Sequence, residues 1–367
     1  MQNPLRHLLQ TCPRARKRGV LLLDGGLTTS LPKGAEKHFL WGHQLLYGLD
    51  GGISALKDVH GKFLRAGSDV ISTLSYKLSA ELIAACYKAK RSKENPLGMM
   101  REVVGGRGRS EGEMDIDSET QNLFNGSAEA ARQAIEEEAD HVVESTTSGS
   151  TSSSTKNSIK RLVFGSVGPC VDATELFRGA TDPNTRSKGN EEADRMKHYY
   201  EKKLRMLKKA GVDGVFLETL AGSVEATIGA EISGRLGLST VVSFCCKDSA
   251  HTNSGEALND CAKRMREYSH VHAVGVNCVK PELAVQLVKT LKAALHDTKL
   301  IAVYPNSGEV WDATEGARCW HGADKMKVLD GSDCLSYKEA GADLIGGCCR
   351  VTPEQIRLFA AALDVGA

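Results

Sequence analysis

Short apolar runs of strand length alternate along this chain with stretches in which apolar residues recur at helical spacing. Eight such runs end in glycine or polar residues, at 20–26, 69–76, 161–169, 212–219, 239–248, 272–279, 299–308 and 343–350. Helix-period segments lie between them, clearest at 50–66, 79–91, 191–210, 222–237, 254–269 and 281–296. A last one, at about 353–364, has Thr352 as its N-cap and Pro353 at its first position. Strands that are apolar almost throughout are buried on both faces, the condition of a parallel sheet covered by helices. Eight such units predict an α/β fold, a (β/α)8 TIM-type barrel rather than an open doubly wound sheet. The barrel is expected to be a single domain over 20–364, preceded by an N-terminal tail over 1–19.

One segment breaks the alternation. From about 93 to 158 no strand of the series occurs, where one helix should join the second strand to the third. The segment holds Gly105-Gly106-Arg107-Gly108-Arg109, an acidic patch at 111–119 and a tract at 145–155 in which ten of eleven residues are Ser or Thr. Such a tract buries nothing and is expected to be disordered. Residues 120–140, rich in Ala and Glu, are expected to be the missing helix between two flexible stretches. The whole is read as a low-complexity insertion tolerated at the surface, with a phosphorylated regulatory loop as the alternative.

Composition removes several classes of function. Lys and Arg number 47 and Asp and Glu 46, so a formal charge of +1 offers no footprint for nucleic acid or an anionic membrane. No apolar run approaches the roughly 18–20 residues of a membrane span. Eleven unevenly spaced cysteines do not form a secreted disulfide framework and fit a reducing compartment. Arg6, Arg14, Arg16, Lys17 and Arg18 precede the first strand with no acid among them, faintly like an organellar presequence. Because 20–23 runs straight into a core strand, the first residues are expected to be a solvated tail on a cytoplasmic protein. Oligomeric state leaves no mark in the sequence.

In barrels of this type, function collects where the strands end, because those loops share one face. Asp24-Gly25-Gly26 ends the first run, Ser75-Tyr76 the second, Glu218-Thr219 the fourth, Asn277-Cys278 the sixth and Cys348-Cys349 the eighth. Neighbouring thiols on a regular strand point to opposite faces. Gly346 and Gly347 free the backbone to leave strand geometry and turn Cys348 and Cys349 towards one point. Converging thiolates suggest a soft metal, zinc first. Blander readings stay open: Cys348 as a small core hydrophobe and Cys349 idle, Asp24-Gly25 as turn chemistry, Glu218 as a helix cap, Tyr76 as a half-buried ring. So do two other functions, a phosphate cradle at Gly346-Gly347 and a zinc or redox sensor built on Cys348-Cys349.

Asp24-Gly25-Gly26, Gly165-Ser166-Val167-Gly168-Pro169, Glu218-Thr219-Leu220, Gly275-Val276-Asn277-Cys278, Tyr304-Pro305-Asn306-Ser307-Gly308-Glu309 and Gly346-Gly347-Cys348-Cys349-Arg350 occur in that order. Together they resemble the homocysteine S-methyltransferases over about 20–91 and 160–364, and more closely the branch that uses S-methylmethionine or S-adenosylmethionine. The resemblance implies one zinc per chain held by Cys278, Cys348 and Cys349, which would activate the thiol of L-homocysteine towards a sulfonium methyl donor. It implies that Asp24 and Glu218 receive the homocysteine amino group, with Gly25, Tyr76 and Asn277 as further substrate-binding positions. The 93–158 insertion and a second vicinal pair, Cys245-Cys246, depart from the family pattern. That pair ends the fifth strand on the same rim and is the rival ligand set.

Overall fold

The structure, a computed structural model, describes residues 2–32, 42–49, 51–91, 115–146, 160–170, 189–312, 319–321 and 329–365. Strands β1 (Leu21–Leu22), β2 (Val70–Ser72), β3 (Leu162–Val167), β4 (Gly214–Leu220), β5 (Thr240–Phe244), β6 (Val271–Asn277) and β7 (Leu300–Tyr304) follow in chain order. After them come β8 (Val310–Asp312) and β9 (Cys319–His321), paired as an antiparallel ribbon, and β10 (Leu344–Ile345). The other eight strands pair in parallel in the order β1-β10-β7-β6-β5-β4-β3-β2. A parallel bridge between Leu23 and Val70 joins the two ends. There Asp69 N–H donates to the Leu22 carbonyl at 2.7 Å and Asp24 N–H to that of Val70 at 3.1 Å, closing the barrel. All seven residues of β6 and all six of β3 are buried, which is why these strands read as continuous apolar runs.

Each expected helix has an observed counterpart, and between β7 and β10 the structure adds a helix that the apolar spacing did not mark. Helix Gly331–Ala340 lies between β7 and β10 in sequence, and its buried residues are Cys334 and Tyr337, too few to trace a helical face. Its ends carry the signal instead. Asp330 accepts from Ser332 N–H at 2.8 Å, Asp330 N–H donates to Asp333 at 3.0 Å, and Gly341 closes the helix in the left-handed region. The helix expected at 120–140 runs from Ile116 to Thr146. Its Leu123, Phe124 and Ala130 join the core with Leu56, Val59 and Phe63 of helix Gly52–Ala66. Ala131 and Ala134 pack with Leu64, Ile71 and Val163. This helix is therefore an integral layer of the barrel, whereas 92–114 and 147–159, with nearly all of the Ser/Thr tract, lie outside the described residues.

The solvated N-terminal tail is corrected. Helices α1 (Pro4–Thr11) and α2 (Pro13–Arg18) begin on prolines, and Asn3 caps the first by accepting from Arg6 N–H at 3.0 Å. Leu5, Leu8, Cys12 and Ala15 repeat at helical spacing and are buried with Leu21, Leu23, Leu162, Phe164 and Phe216 of the barrel interior. Burying each leucine stabilises by about 1.5–3 kcal/mol, enough to hold down a segment whose charges alone suggested solvent. Arg14 bonds Asp69 at 2.7 Å, and Arg18 grips both carboxylate oxygens of Asp364 at 2.7 and 2.8 Å. The two helices thus stop the N-terminal mouth of the barrel. Among the described residues, no helix is long and apolar enough to cross a membrane.

Candidate active site

At the opposite mouth, β7 lies between β6 and β10, so it brings together the residues that follow those two strands. Cys278 leaves β6 with φ 54°, and its N–H donates to the Tyr304 carbonyl at 3.3 Å. Cys348 N–H donates to the Pro305 carbonyl at 2.7 Å, and Cys349 N–H to Asn306 Oδ1 at 3.2 Å. The Cys349 sulfur lies 3.9 Å from Cys278 Sγ and 3.9 Å from Cys348 Sγ, and all three sulfurs fall within 4.8 Å of one another. Tetrahedral zinc with sulfur at about 2.3 Å sets its ligand sulfurs about 3.8 Å apart. The trio therefore fits that ion with a fourth corner left over. As bare thiols the group is unfavourable to ionise more than once. Hydrogen bonds from Cys348 and Cys349 hold Cys278 well below the ordinary thiol range, while the same bonds keep the protons on Cys348 and Cys349.

Gly346 and Gly347 follow the end of β10, and the chain leaves strand geometry there as expected, without positive φ. They are needed for close approach. A Cβ on Gly346 would lie 2.7 Å from the Asp24 carbonyl oxygen, and one on Gly347 would lie 2.2 Å from Val351 Cγ1. Gly25 is similar, its Cβ position being 2.4 Å from the Val351 carbonyl oxygen. The rival pair Cys245-Cys246 stays apart from the cluster. Cys245 donates to the Thr219 and Leu220 carbonyls at 3.4 and 3.5 Å, and burial pushes the Cys246 thiol up to about 12.

Two acids share this mouth, Asp24 buried and Glu218 half-buried. Asp24 Oδ2 accepts from both the backbone N–H and the hydroxyl of Ser72 at 2.8 Å, yet burial still raises it to about 6. Glu218 accepts from the Ser166 hydroxyl, and burial, reinforced by Cys348, raises it to about 8. Cys348, Ser166, Asp24 and Tyr304 shift Glu218, and its charge in turn acts on the buried Lys203, which burial lowers to about 7. Beside it, the buried hydroxyl of Tyr304 interacts with both Glu218 and the Ser243 hydroxyl. A carboxyl raised by burial is returned to its charged form by a cation brought beside it.

Tyr76 stands between the acids and the sulfurs. A Cβ on Gly168 would lie 2.7 Å from its ring, its hydroxyl bonds Thr219, and the charges of Cys278, Glu218 and Cys348 all reach it. Asn277 sits behind Cys348 rather than in open space, its amide paired with Thr219. Asp24, Tyr76, Glu218, Asn277, Cys278, Cys348 and Cys349 are thus brought together. Ser72, Ser166, Ser243, Tyr304 and Asn306 were not singled out as site residues from the sequence. Their signal was a hydroxyl or amide inside or just beyond an otherwise apolar strand.

Residues 21–363 match the family model described as Homocysteine S-methyltransferase. Homocysteine S-methyltransferase 4 of Zea mays is 30% identical over 352 residues, covering 94% of this chain and 90% of the relative. Homocysteine S-methyltransferase YbgG of Bacillus subtilis is 28% identical over 364 residues, covering 98% and 97%. Among solved structures, the oxidized form of the homocysteine methyltransferase MmuM from Escherichia coli aligns with TM-score 0.69 at 25% identity, covering 98% of this chain and 99% of that one. With a family match that runs through all eight barrel strands, the chain belongs to the homocysteine S-methyltransferase family.

Proposed function

We propose that this enzyme transfers a methyl group from a sulfonium donor, S-methylmethionine or S-adenosylmethionine, to the thiol of L-homocysteine, forming methionine. The observation that carries this reading is the sulfur trio at tetrahedral spacing beside two acids, Asp24 and Glu218, that burial raises to about 6 and about 8. Cys278, Cys348 and Cys349 would hold zinc, which supplies positive charge that keeps an incoming thiol deprotonated. Glu218 and Asp24 bind the amino group of homocysteine, and Tyr76 forms the wall between that end and the sulfurs. With a free thiol pKa near 8.5, deprotonation is worth only about 2 kcal/mol at neutral pH. Positioning of nucleophile, methyl and leaving sulfur in line contributes up to about 7–11 kcal/mol and is the larger share. The substrate sulfur's lone pair forms the new S–CH3 bond while the donor's CH3–S bond breaks, its electrons returning to the donor sulfur. The donor leaves as a neutral thioether, so neither Asp24 nor Glu218 has to move a proton.

A donor panel tests this. Zinc-loaded protein is incubated with L-homocysteine and S-methylmethionine, S-adenosylmethionine or betaine in turn, and methionine is quantified. Methionine should form with a sulfonium donor and not with betaine. No methionine from any donor, or equal rates with and without bound zinc, would overturn the reading.

A further inference from the structure

Two carboxamides, Asn277 buried and Asn306 half-buried, face the sulfurs, and hydrogen-bond chemistry fixes their orientation. The Thr219 backbone N–H can only donate, so the Asn277 atom it meets at 2.8 Å is Oδ1. Asn277 Nδ2 then donates to Thr219 Oγ1 at 2.9 Å and points at Cys348 Sγ at 3.9 Å. Asn277 is completely buried, and its bond to Thr219 braces that residue at φ 63°, a left-handed conformation costly for a residue with a Cβ. Asn306 repeats the logic. Its Oδ1 accepts from Cys349 N–H at 3.2 Å, so its amide N–H groups face the other way, on the Cys278 side, and Asn306 favours the ionised Cys278 sulfur. Each carboxamide therefore pins a backbone N–H with its oxygen and offers N–H to a different ligand sulfur.

A reaction chamber that mixes thiolates with an electrophilic methyl group has a hazard of its own. A Cys348 sulfur lone pair attacking the methyl carbon would form a Cys S–CH3 bond. The donor's CH3–S bond would break with its electrons going to the donor sulfur. Thiolate and sulfonium charges would cancel, and the site would lose one anionic ligand for good. On the methyl-transfer reading above, we propose that Asn277 and Asn306 are protecting residues: their N–H···S bonds draw lone-pair density from Cys348 and Cys278 and leave the substrate sulfur the better nucleophile. Hydrogen bonding to metal-bound thiolates is the kind of outer contact that tunes ligand basicity.

The test uses zinc-loaded protein, limiting methyl iodide as a donor-independent methyl source, and no homocysteine. S-methylation of each cysteine is followed in time by peptide mass spectrometry. Asn277→Asp keeps an acceptor for Thr219 N–H and removes the donor to sulfur. It should speed methylation of Cys348 about tenfold, the factor equivalent to about 1.4 kcal/mol for one hydrogen bond to a charged group, with Cys278 unchanged. Asn306→Asp should move the increase to Cys278. Thr219→Val disturbs the same network yet leaves the amide on the sulfur, so Cys348 should react at the wild-type rate. Equal rates in wild type and both aspartate variants, or the same sulfurs accelerated in both, would overturn the proposal. So would loss of bound zinc from both variants, which would make the amides purely structural. Methionine formation is not read here, so a failed donor panel and a failed protection test are separate outcomes.

Discussion

Replacing Glu218 by Gln removes a charge while keeping the shape, and the structure sets both the size and the pH dependence of the effect. Burial raises Glu218 from 4.5 to about 8, so ionising it in the empty site costs about 5 kcal/mol at 1.36 kcal/mol per pH unit. A bound ammonium needs the carboxylate form. Wild-type affinity for homocysteine should therefore climb as pH rises towards 8 and level above it. Losing one partner of a buried ion pair costs about 2–5 kcal/mol, so on the plateau the variant's KM should exceed the wild type's by about 30- to 5,000-fold. At pH 7 only about a tenth of Glu218 is ionised, and the ratio should be about tenfold smaller. Deprotonation of the substrate thiol affects both proteins alike and cancels in the ratio. The assay is initial-rate methionine formation from pH 6 to 9 with zinc content measured alongside, and a mercapto-acid lacking the amino group as control. A KM ratio that does not change with pH, or a variant that loses zinc, would refute the assignment of Glu218 to the amino group.

Raised acids also weaken the fold at high pH. Below about 4.5 Glu218 is protonated folded or unfolded, and stability is lost as pH rises towards 8. The metal-free Glu218→Gln protein should consequently match the wild type in urea at pH 4 and exceed it by a few kcal/mol at pH 8. Cys348→Ser should lose bound zinc, measured by mass spectrometry of the metal, whereas Cys245→Ser should keep it, because Cys245 bonds carbonyls rather than the cluster. Arg18→Ala removes both bonds to Asp364 and should cost about 1–3 kcal/mol in a denaturant titration, with zinc content unchanged. Gly168→Val should force Tyr76 from its place and raise KM for homocysteine while circular dichroism stays native.

The barrel was legible because continuous apolar strands and capped helices are local signals. Where charge and apolar spacing conflicted, at 4–18, the charges misled: Leu5, Leu8, Cys12 and Ala15 form a helical stripe that only a barrel mouth could cover. The chemistry of the rim could be read because a parallel barrel puts every strand end on one face. The supporting groups could not. Whether Ser166 or Ser243 faces the site depends on stagger between strands, and Asn306 acts across 43 residues on Cys349. The Gly346-Gly347 pair shows both sides: it marked where the chain leaves the strand, while the crowding against Asp24 and Val351 that excludes a Cβ depends on distant segments.

The two mouths of the barrel treat the same residue type in opposite ways. At the stopped end, wholly buried Asp69 accepts from Arg14 at 2.7 Å and from Leu22 N–H at 2.9 Å, so its charge is matched inside the protein. At the open end, Asp24 meets the Ser72 hydroxyl and backbone, Glu218 meets the Ser166 hydroxyl, sulfur and the field of Lys203, and burial lifts them to about 6 and about 8. A carboxylate paired with arginine stabilises its own fold and has little left to offer a ligand. One raised by burial destabilises the fold by an amount that an arriving cation can recover as binding energy. On the proposed function, the free energy that burial costs Asp24 and Glu218 is recovered when the ammonium of homocysteine arrives, which is why these acids, and not the arginine-paired Asp69, are proposed to bind it.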